Sequence, residues 1–359
     1  MKKLFNKNII AVCLLLALAG CKDDFDNIRI ESNPIDSDQH QTIQGLAQIE
    51  KEIALNWATV TSDLYNGVTA FKTTTSDANL INVQNLWKLA RNPWESNESF
   101  GFGPASTDDI DASSDDWPFD ITAFNAILSS NQTLNQAFIV EMTTTTKGFH
   151  AIEYLVFGSD GKKKATDFNS RELQMLDLLS FDLRTQAGKL NTRWTTGSAD
   201  SFYDDFISAG STSSSYATTS AVLGEVLGSM VDILTELPDN KIQTPVSLQS
   251  NAYLESRFSD YSFYDYRNNL NGVYAVYVGK YGNITTKKNI SSLVGAANPA
   301  VNEKVLTQFK LSLALMDLIQ PTSMNQAILT KQDQLNDLAG ELQKLNKILN
   351  EDVREVLGL

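Results

Sequence analysis

The stretch TIQGLAQIEKEIALNWATVTSDL, residues 42–64, decides the fold class. Ile43, Leu46, Ala47, Ile49, Ile53, Ala54, Trp57, Val60 and Leu64 recur at intervals of three and four. They therefore share one face of a helix, with polar residues opposite. The same period returns over about 80–92, 121–156, 169–195, 216–237, 263–280, 302–319 and 331–357. No run alternates apolar and polar residues between turns as a half-buried strand does, so an all-α protein is expected. Pro238, Pro321 and Gly197 punctuate the helical stretches, and STSSSYATTS at 211–220 reads as a loop entering a helix start. A break near residue 200 leaves halves, 39–200 and 201–359, each long enough for a four-helix bundle. Two packed bundles are the expected architecture.

Upstream of the helices lies an address. Lys2, Lys3 and Lys7 precede an apolar run, Ile9–Ala19, that is too short for the roughly 20 residues of a membrane helix; residues 1–21 read as a signal peptide. It ends in Leu18-Ala19-Gly20-Cys21, which resembles a bacterial lipobox with Cys21 as the lipidated residue. Lys22-Asp23-Asp24 resembles the short tag that directs some lipoproteins of the Bacteroides group to the outer face of the outer membrane. Residues 22–38, polar and without period, read as a tether. The two cysteines of the chain, Cys13 and Cys21, both belong to this region, so the folded part has neither a disulfide nor a thiolate ligand.

The net charge of −14 becomes about −17 once the leader lysines are removed, which excludes a general nucleic-acid binder and suits cationic ligands. One of only two histidines lies in GFHAIEYLVFG, residues 148–158. On a helix His150, Glu153, Tyr154 and Phe157 form one stripe, leaving Phe149, Ile152 and Val156 for the core. An imidazole and a carboxylate so placed can share a metal ion, or Glu153 can simply hold His150 by a hydrogen bond; two ligands alone do not complete a site. His40, at the end of the tether, is a poor partner. In NLWKLARNPWESNESFGFGP, residues 85–104, Trp87 and Arg91 lie one turn apart, and Asn92-Pro93 reads as an N-cap and first position of a new turn carrying Glu95 and Glu98. The two acids can complete a metal site, act as an acid/base pair, or merely favour a helix start. DDWPFD at 115–120 reads as a structured turn, with Asp115 and Asp116 as reserve ligands.

These segments together resemble the imelysin-like lipoproteins, whose signature is Gly-x-His-x-x-Glu. LESRFSDYSFYDYRNNLNGVYAVYVG at 254–279 is similar to the family's Arg/Phe-Ser motif, although it reads Tyr261-Ser262 where the family more often has Asn-Thr or Asn-Ser. The resemblance implies two packed four-helix bundles with the histidine helix facing the groove between them, and a link to bacterial iron uptake. It assigns His150, Glu153, Glu95 and Glu98 to a metal, iron first and zinc as the alternative. Arg91, Ser259, Ser262, Asp265 and Arg267 would line the groove. It also raises peptidase activity, which the residues favour less: the chain has no His-Glu-x-x-His, and a single imidazole among carboxylates suits a harder ion at least as well as zinc. A third reading is a surface module for haem, chelated iron or a peptide, held by Arg91 and Arg267. The expectation is an outer-membrane lipoprotein that binds iron rather than an enzyme.

Overall fold

The computed structural model describes residues 37–320 and 322–359; the leader with Cys21, nearly all of the tether, and Pro321 lie outside the described residues. The fold is all-α. Helices of ten or more residues are Asp38–Thr73 (α1), Asp77–Asn97 (α2), Gly148–Phe157 (α3), Ser170–Arg193 (α4), Thr219–Glu236 (α5), Ser262–Val278 (α6), Pro299–Ile319 (α7) and Gln332–Lys347 (α8). The sole β pairing among the described residues is antiparallel, Lys280–Tyr281 with Ile284–Thr285. No described helix is long and apolar enough to cross a membrane.

α1 begins where the Ser37 hydroxyl accepts from the His40 backbone N–H at 3.2 Å, which satisfies one of the free donors at a helix start. Its predicted apolar face is buried except for Val60, which is half-buried, and the same face carries the wholly buried Glu50. α1 packs along α2 and α4, and α3 touches both α2 and α4. Where α1, α2 and α3 meet, Trp57 and Trp94 have ring centres 4.5 Å apart, and Phe149 lies 6.2 Å from Trp87 and 6.4 Å from Trp94. Burying each such ring stabilises the fold by roughly 2–3 kcal/mol. The indole of Trp87 also donates to the Phe149 carbonyl at 3.0 Å, tying α2 to the first turn of α3.

Three local expectations are corrected. The periodic stretch 121–156 is not continuous: it forms Ile121–Ser129, Gln136–Glu141, a 3-10 turn at Thr144–Thr146, and then α3. Asp120 and Asn135 each cap a new start with a 2.9 Å hydrogen bond, and such side chains compete with the preceding helix for the backbone. Second, Asn92-Pro93 does not open a turn. α2 runs through Pro93 to Asn97, and the Asn92 side chain instead accepts from Tyr261 Oη at 3.0 Å and Asn268 Nδ2 at 2.9 Å, clasping α6. The helix tolerates the proline because Trp94, Arg91 and Glu95 beside it are fixed by buried contacts. Third, Pro238 does not end α5. The backbone continues into a π-helical segment, Leu237–Gln243, whose wider turn accommodates a residue lacking an N–H.

Two glycines permit close backbone approaches around the end of α2. A Cβ on Gly148, where φ is +71°, would lie 2.2 Å from the Ser114 carbonyl oxygen, so only glycine lets the start of α3 pass this segment. On Gly272 of α6 it would lie 2.4 Å from the Ser96 carbonyl oxygen of α2. These contacts bring α3, α6 and the segment ending at Asp115 around the C-terminal end of α2.

Candidate metal centre

Arg91 stands at the middle of the site and is wholly buried. Its guanidinium contacts the carboxylates of Glu95 and Asp115 directly, Glu255 at 3.2 Å and Asp265 at 3.2 Å. A buried guanidinium is tolerated only when its charge is paired in this way. Burial opposes its charge, but Asp115 and the three other carboxylates outweigh that and hold its proton more tightly than usual. A second internal cation, Lys241, comes from the π-helical segment. Its ammonium lies 3.2 Å from Glu255, 3.5 Å from Asn269 Oδ1, 3.7 Å from Glu236 and 3.9 Å from Glu95.

His150 lies on the buried face of α3. Its Nε2 is 3.2 Å from Asp115 Oδ1 and its Nδ1 is 3.8 Å from Glu153 Oε2, yet neither ring nitrogen makes an aligned hydrogen bond. Burial disfavours the imidazolium, but Asp115 and Glu153 outweigh it and push the ring up to about 9. Asp115 moves the other way. Its burial is overcome by Arg91 and His150, which bring it down to about 2. Glu153 Oε1 accepts three hydrogen bonds, from Phe258 N at 3.1 Å, Ser259 N at 2.8 Å and Ser259 Oγ at 2.7 Å, while Oε2 makes none. Glu153 therefore fastens the segment before α6 to α3 and turns its second oxygen toward His150.

The sequence-derived set is only partly assembled. Single ligand atoms of Asp115, His150 and Glu255 lie within 4.8 Å of one another, as do those of Glu95, Glu255 and Asp265. Arg91 contacts every member of the second set, and Asp115 and Glu255 of the first. Glu95 is engaged further by Asn269, whose Nδ2 donates to Oε2 at 2.7 Å, and burial pushes its carboxyl upward against the pull of Arg91. The first set differs in holding a buried imidazole whose ring nitrogens make no aligned hydrogen bond, and in it Asp115 and Glu255 take the places that the spacing gave to Glu95 and Glu98. Glu98 lies on the following 3-10 turn and lines a cavity of about 210 Å³. Asp111, Asp115, Asp116, Glu236 and Glu255 line the same cavity, with Lys241 among them. A larger groove of about 570 Å³ near Asp239, Gln243 and Gln332 is bordered by none of the buried carboxylates.

Ser259 and Asp265 lie at this junction, Ser259 bonded to Glu153 and Asp265 to Arg91. Ser262 supports it at one remove, its hydroxyl accepting from Ser256 N at 3.0 Å. Arg267 does not join: its guanidinium pairs with Asp317 of α7 at 2.6 Å, because two helical residue steps, about 200°, turn it away from Asp265. Glu255, Lys241 and Asn269 were missed. Glu255 and Asn269 fall inside the quoted 254–279 segment, where a lone acid and an amide carry no spacing signal, and nothing local distinguishes Lys241 from a surface lysine.

Helices presenting one imidazole and a nest of carboxylates at a buried junction define an all-helical protein with a polar, cation-compatible centre. The family model for Imelysin, Peptidase M75, matches residues 54–351, and the chain belongs to the imelysin family. It is 30% identical over 291 residues to an iron-regulated protein A of Synechococcus elongatus, covering 80% of this chain and 78% of that one. Two crystal structures share the fold. An iron-regulated protein A precursor from Parabacteroides distasonis superimposes with a TM-score of 0.81 at 19% identity, covering 89% of this chain and 95% of that one. An imelysin-like protein from Psychrobacter arcticum gives 0.73 at 13%, covering 90% and 97%.

Proposed function

We propose that this protein binds an iron cation as cargo at Asp115, His150 and Glu255 and serves iron uptake from the outer membrane, anchored through a lipid on Cys21. The observation that carries the reading is the buried imidazole of His150: both ring nitrogens lack an aligned hydrogen bond, and one faces carboxylate oxygens bordering an acid-lined cavity. Two carboxylates with one imidazole form an oxygen-rich donor set that suits iron at least as well as zinc. Glu153, clamped by Ser259, keeps Oε2 3.8 Å from His150 Nδ1, on the side where an outer partner of a ligating histidine would stand. The iron-regulated name of the Synechococcus relative and the acidic net charge point the same way. Anchoring rests on the lipobox-like Leu18–Cys21 and the following Lys22-Asp23-Asp24.

Titration of the chain from residue 22, purified without a histidine tag, with ferrous, weakly chelated ferric and zinc ions tests this reading against His150→Ala. Stoichiometric binding lost in the variant supports it. No binding by either protein refutes it and turns attention to haem or iron chelates. Peptide hydrolysis is the weaker reading: the sequence has no His-Glu-x-x-His, and His150 is the single imidazole of the candidate ligand set.

A further inference from the structure

Among the described residues lining the cavity, Lys241 is the one buried side chain that the cation-binding reading does not use. It is 4% exposed and comes from a π-helical turn, a geometry that is uncommon and tends to occur where a side chain has a specific task. Its ammonium approaches both oxygens of Glu255, and Glu236, Glu95 and the Asn269 carbonyl oxygen stand within 3.9 Å. Glu255 therefore belongs at once to the candidate ligand set with Asp115 and His150 and to the shell of Lys241. The lysine also borders the acid-lined cavity that adjoins Asp115 and Glu255.

We propose that Lys241 is a tethered placeholder cation: it occupies the acid-lined cavity beside Glu255, competes with incoming metal for that carboxylate, and keeps cargo affinity low enough for release. This rests on the assignment of Asp115, His150 and Glu255 as the cargo site. The physical basis is charge. Arg91 contacts Asp115 and Glu255 as well as Glu95 and Asp265, and only Lys241 among the described lysines borders the cavity where a cation would enter. A cation on Glu255 meets repulsion from the ammonium and loses an oxygen to it; the lysine, on a flexible four-carbon stem, can swing toward Glu236 when metal arrives. Removing the lysine charge then tightens binding, whereas a residue with a purely structural role would, when replaced, leave affinity unchanged or weaken it.

The test is calorimetric titration of Mn²⁺, as an oxidation-stable hard cation, into the wild type, Lys241→Gln and Lys241→Met, with circular dichroism to establish folding. Binding at least about tenfold tighter in either folded variant is expected from loss of one nearby positive charge. Equal or weaker binding in the folded variants overturns the proposal. Lys241→Gln keeps a hydrogen-bonding group toward Glu255 and serves if Lys241→Met does not fold. The cargo-site reading fails separately: if the wild type takes no Mn²⁺ but a Lys241 variant does, competition of the ammonium for Glu255 is upheld, while cation loading of the natural protein at this site, and with it the tuning of release, is refuted. If no protein binds, both fail.

Discussion

Replacing His150 by Gln removes an imidazole that the fold holds in its charged form, and the cost depends on pH in a defined direction. His150 is 1% exposed, so solvent screening is slight, and its folded value of about 9 stands against an ordinary 6.5. A group raised in this way stabilises the folded state fully below 6.5, and that stabilisation is lost as pH rises through about 9. The difference corresponds to about 3 kcal/mol. Asp265, pushed up to about 7 by burial against the pull of Arg91, titrates ahead of most of this window, and it is present in both proteins. Urea unfolding of wild type and His150→Gln, with EDTA present, measures the difference at about pH 6 and about pH 10. The wild type should exceed the variant by about 3 kcal/mol more at the lower pH than at the higher. A difference that does not change with pH would show that Asp115 and Glu153 do not hold a charged imidazole, and the electrostatic account of the site would fall with it.

The same proton must leave before a cation can occupy a ring nitrogen, so cation affinity should rise with pH by about tenfold per unit up to about pH 9; a flat profile in pH-stepped calorimetry contradicts ligation by His150. Arg91→Met should destabilise the fold by about 3–5 kcal/mol, since it strands four buried carboxylates, and a loss below about 1 kcal/mol in denaturant melts would mean that those groups relax without it. Gly272→Ala forces a Cβ to within 2.4 Å of the Ser96 carbonyl oxygen and should cost about 1–3 kcal/mol, read from the urea midpoint; an unchanged midpoint would show that α2 and α6 can part freely. Glu153→Gln keeps the length of the side chain but removes the charge behind His150. Cation affinity should fall about tenfold or more, and an unaltered titration would leave Glu153 a purely structural clasp.

Periodicity could be read from the chain because it is a property of neighbouring residues: the face of α1 was legible down to Trp57, and so was the burial of Phe149, Ile152 and Val156 around His150. Where reading failed, a local signal met a longer-range one. Asn92-Pro93 has the composition of a helix start, but contacts of Asn92 with Tyr261 and Asn268 keep α2 intact. Pro238 has the composition of a helix end, yet a π-turn carries the backbone past it. Arg267 lies two residues from Asp265 and was grouped with it, although a helix turns such neighbours to different faces.

By itself the sequence determined the all-α class, the amphipathic faces, the stripe that carries His150 and Glu153, and the nearby pool of acids, because helical period and composition are fixed by residues a few positions apart. Only the tertiary structure decided which acids meet the imidazole. Asp115, His150 and Glu255 come from three separate segments, and their convergence depends on two glycine-permitted approaches and on Arg91, which contacts Asp115 and Glu255 as well as Glu95 and Asp265. Such convergence is set by packing across the chain, as in the 174-residue separation of Arg91 and Asp265, and leaves no spacing in the sequence from which it could be read.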